Sequence, residues 1–389
     1  MQLLLLPVPS QEKPAFLPLL RFRPRRLCHN IAQLIIWHAI KTMTKQLGRT
    51  KRGAAQGMRV TLGMVAEASG VSPSTVSRIL NGTAVVSDEK RAAIDRAIQQ
   101  LGFVPNPMAR GLAGGRTSSI GVLTQAIDSP FYGAALRGIE EELSDAGYSP
   151  LFVSGRWETD AEQRGIDVLL SRKVDGIIVL TGRLSDETLR NLAKSVPVVV
   201  TGRQLEAPNL FALDFDHFDG ARQATNHLLG LGHRDIAFIC GDPAHDDAAE
   251  RLRGYRAALA AAGVPFNPKL VLPGNYHEES GLAAALQLID SGEPFTAIFA
   301  ANDQMAFGAA LALYQRHLRV PDDVSLVGID DVPAASHAIP PLSTMHQGTH
   351  ELGRLAATAL LQLLDGAKPD VTLPPPRLVQ RGSVRAIDP

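Results

Sequence analysis

Between residues 117 and 389, short apolar runs alternate with stretches of amphipathic helical spacing, and this rhythm constrains the fold more than any other feature of the chain. The runs are 120–123, 151–153, 176–180, 196–200, 236–240, 297–300 and 325–329. Between them, 134–146, 161–172, 220–231, 251–262 and 305–317 repeat apolar residues at helical intervals. A continuous apolar run of this length reads as a strand buried on both faces, which parallel sheets covered by helices require. About 270 residues are more than one doubly wound sheet needs, so two similar lobes with a cleft are expected.

In open α/β sheets ligands bind beyond the carboxyl ends of the strands, so the residues that follow each run are the candidates. The first run is followed by Asp128, Ser129, Pro130, Phe131 and Tyr132, and the second lobe offers Arg251, Arg253 and Tyr255. Later runs lead into Asn302 and Asp303 and into Asp330 and Asp331, while Tyr276 lies in the loop 271–276. A guanidinium fork, an amide, carboxylates and flat aromatic faces suit a polyhydroxylated ring, with hydrogen bonds at its edge and stacking on its faces. A purine uses much the same groups. Two plainer readings stay open: Asn302 and Asp330 cap the helices after them, and Tyr276 is a surface aromatic.

The charge is divided unevenly. The chain carries 39 basic and 39 acidic residues, yet 1–57 holds a net +9, 58–116 a net +3 and 117–389 a net −12. Such a split fits a front end that meets phosphates and a body that nucleic acid repels. Residues 1–57 read either as an over-extended reading frame, with Met43 or Met58 as the start, or as a disordered basic arm that adds salt-sensitive affinity. The leucines of 1–6 are interrupted by Pro7 and Pro9 and lack a basic region before them, so no secretory signal is expected; 31–40 is too short and polar to span a bilayer. Cys28 and Cys240 show neither disulfide nor zinc spacing, which fits a reducing cytoplasm.

Ahead of the body, 58–104 reads as three short helices. Leu62, Val65, Ala66 and Ser69 share a helix face until Gly70 breaks it; Ser72 is an N-cap candidate, with Pro73 at the first helical position. Val76, Ile79 and Leu80 turn inward, Ser74, Thr75, Ser77 and Arg78 outward, and Asn81-Gly82 stops the second helix. A third starts after Ser87, buries Ile94, Ala97, Ile98 and Leu101, and ends at Gly102. Two helices joined by a glycine turn, the second rich in small polar residues, read as an all-α helix-turn-helix head, or as an ordinary helical hairpin with a solvated face. Asn106 and Pro107 open a further short helix that is marginal alone and reads as a linker turn.

The string VTLGMVAEASGVSPSTVSRILNG from Val60 and LGFVPNPMARGLAG from Leu101 resemble the LacI/GalR family of bacterial transcriptional regulators. AANDQMAFG from Ala300, SLVGIDD from Ser325 and IPPLSTMHQ from Ile339 extend the resemblance over 58–385. It implies a periplasmic-binding-protein-like, two-lobed α/β body at 118–385, used for effector binding and dimerisation, and a hinge helix at 105–117. Carried over by position, Thr61, Leu62, Ser72, Thr75, Ser77, Arg78, Asn81, Ser87, Asn106 and Ala109 become DNA-contacting residues. Pro73 and Ser74 set operator preference, and Leu112 wedges into the minor groove. Phe131, Tyr132, Arg251, Tyr276, Asn302 and Asp330 become the effector-binding set. The chain departs from the family pattern at Met64, where an acidic residue is usual, which implies a weakly capped start of the first helix, and at Gly111, where many relatives carry Ser, which implies a looser hinge helix.

The function implied is a cytoplasmic, homodimeric repressor of a near-palindromic operator, controlled by a mono- or disaccharide, with no membrane partner. No cofactor, metal or catalytic set is expected. His346 and His350 share a helix face at most, without a third ligand, and His245-Asp246-Asp247 reads as a solvated turn. The competing reading from another class is a solute receptor that delivers sugar without binding DNA; it requires a signal peptide and no head. A sugar hydrolase is a third.

Overall fold

The computed structural model describes residues 60–80, 86–103 and 116–387, which form two compact units. The smaller unit holds α1 (Leu62–Ser69), α2 (Pro73–Leu80) and α3 (Asp88–Leu101). Its core is Val65, Ala66, Val76, Ile94 and Ala97, with Leu62, Ile79, Leu80, Ile98 and Leu101 packed around them. Each boundary has a local cause. The Thr61 hydroxyl accepts from Met64 N at 3.4 Å, a long cap in a first turn with no acidic residue, and Gly70 takes the left-handed conformation that closes α1. Ser72 Oγ accepts from Thr75 N at 3.3 Å to start α2. Gly102, also left-handed, ends α3. The proposed hinge around Asn106, Ala109 and Leu112 lies outside the described residues, as does Asn81.

The larger unit is two doubly wound lobes. The first lobe's sheet runs in the order β2-β1-β3-β4-β5, all parallel: β1 (Ser119–Thr124), β2 (Ser149–Ser154), β3 (Gly176–Leu180), β4 (Val198–Thr201) and β5 (Leu210–Leu213). Helices α4 (Pro130–Asp145), α5 (Thr159–Ser171) and α6 (Asp186–Ala193) follow β1, β2 and β3. The apolar runs are continuous because both faces are covered. Ile178, Leu180 and Val199 enter the core on one side of the sheet, while Ile177, Val179, Val198 and Val200 enter the core on the other.

The second lobe's sheet runs β11-β10-β9-β8-β6-β7, parallel except for the edge strand β11. Its strands are β6 (Ile236–Ile239), β7 (Val271–Leu272), β8 (Ala297–Ala300), β9 (Ser325–Asp330), β10 (Ser343–His346) and β11 (Arg377–Val379). Helices α7 (His217–Gly230), α8 (Asp246–Ala261), α9 (Glu278–Ser291) and α10 (Asp303–Gln315) cover it, and α11 (Thr349–Leu364) returns to pack on α4 in the first lobe.

The chain therefore crosses between lobes three times, at 214–216, 347–348 and 365–376. The crossings leave each lobe with its own core. The α4–α11 packing needs glycine: a Cβ at Gly138 would run into the carbonyl oxygen of His350, and one at Gly353 into that of Ala135.

The seven expected strands are all present, two of them with the expected ends and five with shifted ends, and β5, β7, β10 and β11 are added; α6, α9 and α11 are added to the five helices read from spacing. His346 and His350 do not share a helix. His346 ends β10 and contacts Asp331 Oδ2 at 2.9 Å, while His350 begins α11 and contacts Glu141 Oε2 at 2.8 Å. No group of His, Cys, Asp or Glu among the described residues is placed to hold a metal ion, and no described helix is long and apolar enough to cross a membrane.

Candidate functional site

The carboxyl ends of the strands of both lobes converge on one cavity of about 640 Å³. All six expected effector residues line it: Phe131 and Tyr132 on the first turn of α4, Arg251 on α8, Tyr276 after β7, Asn302 after β8 and Asp330 at the end of β9.

Arg251 is the centre of the second lobe's wall. It is 3% exposed, donates through Nη1 to the carbonyl oxygen of Ala301, and its Nη2 lies 3.3 Å from both His217 Nδ1 and Asp247 Oδ2. Its Nε is buried without a hydrogen-bond partner. Burial works against the Asp247 carboxylate, but Arg251 and His217 outweigh it and hold its pKa below the ordinary value. The Tyr276 hydroxyl donates to Asp247 Oδ2 at 2.9 Å, and the Arg251 guanidinium sits over the Tyr276 ring at 5.4 Å. Asn302 takes the capping role and also lines the cavity. Its Oδ1 caps α10 by accepting from Met305 N at 2.9 Å, and its Nδ2 donates to the Tyr276 carbonyl at 2.9 Å.

Asp330 accepts from Gln347 Nε2 at 2.9 Å, a contact that ties the end of β9 to the second crossing. Burial pushes its carboxyl up to about 7, against the opposing pull of Arg251 and the Gln347 hydrogen bond. Asp303, also buried, accepts from Thr344 Oγ1 at 2.5 Å and Val332 N at 3.0 Å.

Several lining residues were not singled out from sequence. Trp157 follows β2, Arg183 follows β3, Arg203 follows β4 and Asp242 follows β6, so position after an expected strand points to these, whereas Asp214 and Phe215 follow β5, which is not among the expected runs. Buried Gln125 and Glu162 position two of their loops. Gln125 accepts from Trp157 N at 2.8 Å and donates to the Thr181 carbonyl at 3.1 Å; Glu162 accepts from Arg183 N and Leu184 N, each at 2.9 Å. Trp157, Thr181, Tyr276 and Asp330 all have positive φ, at 58°, 50°, 71° and 120°. Four non-glycine residues in that region around one cavity mark loops held in shape by their surroundings.

The reading of His245-Asp246-Asp247 as a solvated turn is overturned. Asp246 and Asp247 form the first turn of α8, and Asp247 and His245 face the cavity, where the His245 ring stacks on Trp157 with centroids 4.0 Å apart. A charge cluster in sequence carries no sign of this, because His245 is covered by Trp157 of the other lobe and Asp247 by Arg251 and Tyr276, which are distant in sequence or set by the fold.

In the head, α2 presents its polar face as the sequence implies: Ser72, Pro73, Ser74 and Arg78 are exposed, Thr75 and Ser77 partly so. The hydroxyl of Ser72 lies 3.0 Å from Ser74 Oγ and 2.8 Å from Thr75 Oγ1, so three hydroxyls cluster at the N-terminus of α2. Thr61 is exposed at the start of α1, Ser87 is exposed ahead of α3, and Leu62 is half-buried against the head core.

Two family models match the chain: bacterial regulatory proteins, lacI family, over 61–106, and a periplasmic binding protein-like domain over 225–384. The transcriptional regulator CelR of Thermobifida fusca is 38% identical over 329 residues, which cover 82% of this chain and 95% of CelR. The chain belongs to the LacI family of bacterial regulators. Among solved family structures, a CelR–cellobiose complex matches with a TM-score of 0.63 at 36% identity, covering 84% of this chain and all of that one. A lac repressor dimer bound to operator and an anti-inducer matches with a TM-score of 0.75 at 31% identity, covering 84% of this chain and 99% of that one. As a LacI-family regulator the chain pairs a helix-turn-helix head with a two-lobed α/β body of parallel sheets.

Proposed function

We propose that this regulator is a cytoplasmic, dimeric repressor whose hold on a near-palindromic operator is set by a neutral saccharide bound between the lobes of the body. The observation that carries the saccharide half is the set of partners around the cavity. The guanidiniums of Arg183, Arg203 and Arg251 are each engaged, by Asp242, by Asp186 with the Gly182 and Leu184 carbonyls, and by Asp247 with the Ala301 carbonyl. A phosphate would compete with existing carboxylates for them. Asp214, Asp247 and Asp330 instead offer acceptors to hydroxyls, and Trp157 and Tyr276 offer flat faces. The likeness to a cellobiose-binding regulator supports a disaccharide.

For the DNA half, the exposed face of α2 (Ser72, Pro73, Ser74, Thr75, Ser77 and Arg78) enters the major groove, with Thr61, Leu62, Ser87 and Asn81 beside it. Asn106, Ala109 and Leu112 serve as the hinge at the dimer axis. The operator-bound lac repressor dimer supports this arrangement.

A melting experiment on the full chain tests the ligand class. Cellobiose, other neutral sugars, sugar phosphates and purines are added in turn, and a ligand at about 100 times its Kd should stabilise by roughly 2.7 kcal/mol. A shift confined to neutral sugars supports the reading; one confined to phosphates or purines overturns it. A receptor that only binds sugar would shift in the same way yet bind no duplex, and turnover of the stabilising sugar would contradict a purely regulatory role.

A further inference from the structure

The His245 imidazole stacks with two flat rings carried by opposite lobes. Trp157, from the first lobe, stacks on one face with centroids 4.0 Å apart and planes at 26°. Tyr276, from the second lobe, lies parallel to it at 5.8 Å and 6°. No hydrogen bond holds the ring in place: Nε2 is buried without a partner, and His245 occupies the N-cap of α8 without capping it through its side chain. Burial keeps the imidazole pKa below its ordinary value, against Asp247 and Asp242, which raise it; Arg183 and Arg251 act with burial. A neutral flat ring held only by stacking thus fills a slot whose two walls are the aromatic faces a sugar ring would use.

We propose that His245 is an internal plug: its ring occupies the slot between Trp157 and Tyr276 and must swing out before an effector ring can enter. This rests on the saccharide reading of the same cavity. The Arg183–Asp242 pair, 3.9 Å apart across the lobes, lies beside the plug and restrains the loop that carries it. The plug makes effector affinity the difference between two stackings. It also makes displacement of His245 from Trp157 the event through which the first lobe registers a ligand held by the second.

The test uses the full chain. The sequence contains only Trp37 and Trp157, so Trp37→Phe leaves Trp157 as the sole indole reporter. In that background, cellobiose affinity is measured by calorimetry for the parent, His245→Ala, His245→Phe and Trp157→Ala. Removing the competing ring is expected to tighten binding roughly three- to tenfold in His245→Ala, while His245→Phe, which keeps a stacking ring, and Trp157→Ala, which removes a wall, bind more weakly. Weaker binding by both His245 variants would make the residue a direct contact and overturn the plug, as would unchanged binding in His245→Ala. A second readout needs no sugar. Trp157 emission should change in His245→Ala, and added imidazole should restore the parent emission saturably. If cellobiose binds none of the proteins but imidazole refills the slot, the plug stands and the sugar reading falls; if imidazole has no saturable effect, the plug falls.

Discussion

Asp330 is where the chemistry of single residues bears most directly on behaviour. Its carboxyl is raised from 3.8 to about 7 by burial, so the neutral form stabilises the fold. That contribution is complete below about pH 4 and is lost as pH rises through about 7. Asp330→Asn cannot ionise, so its melting temperature relative to the parent should climb between pH 5 and pH 8, by the equivalent of about 1–3 kcal/mol. A gap that stays level across that range would contradict the burial argument. Arg251→Lys keeps the charge but loses the planar fork that reaches Ala301, His217 and Asp247 together, and sugar affinity by calorimetry should fall at least tenfold, roughly the worth of one charged hydrogen bond. Arg251 and Asp330 could be read from sequence because the family resemblance reaches their segments, on the carboxyl side of the sheet. His245 and Trp157 could not be paired that way, since their contact is made by two lobes brought together by the crossings.

At the scale of elements, legibility followed burial. Strands buried on both faces, such as β3 and β4, announce themselves as unbroken apolar runs, whereas β7 has two residues and β10 reads Ser-Thr-Met-His, with no run to see. The head was legible almost to the residue, because Ser72, Pro73, Gly70 and Gly102 each mark a helix end. Its core is small, with Ile94 fully buried at the centre. Ile94→Ala should therefore destabilise the head by about 2–5 kcal/mol, enough to unfold a unit of this size. The measurement is operator binding, which should be lost while the sugar-induced melting shift of the body persists. Loss of both would mean that the head and body do not fold as separate units. In the body, Gly138→Ala forces α4 away from α11 and should lower the melting temperature of the first lobe; a shift of less than a degree would show that the helices can part freely.

For the whole molecule, the division of charge and of fold tell the same story. A basic front end leads into an acidic body, and the body is two lobes joined by three crossings, with the cavity between them. A repressor built this way should lose operator affinity steeply with added salt, since each phosphate contact releases a counterion. Leu112→Ala should weaken operator binding if that leucine wedges into the minor groove, and unchanged affinity would remove the hinge from the account. The central claim, that a saccharide in the cleft controls the head's grip on DNA, is tested most directly by the fluorescence anisotropy of labelled operator bound to the full-length protein as cellobiose is added. Anisotropy should fall saturably at the sugar concentrations that raise the melting temperature. Operator binding that stays constant while the sugar demonstrably fills the cleft would contradict it.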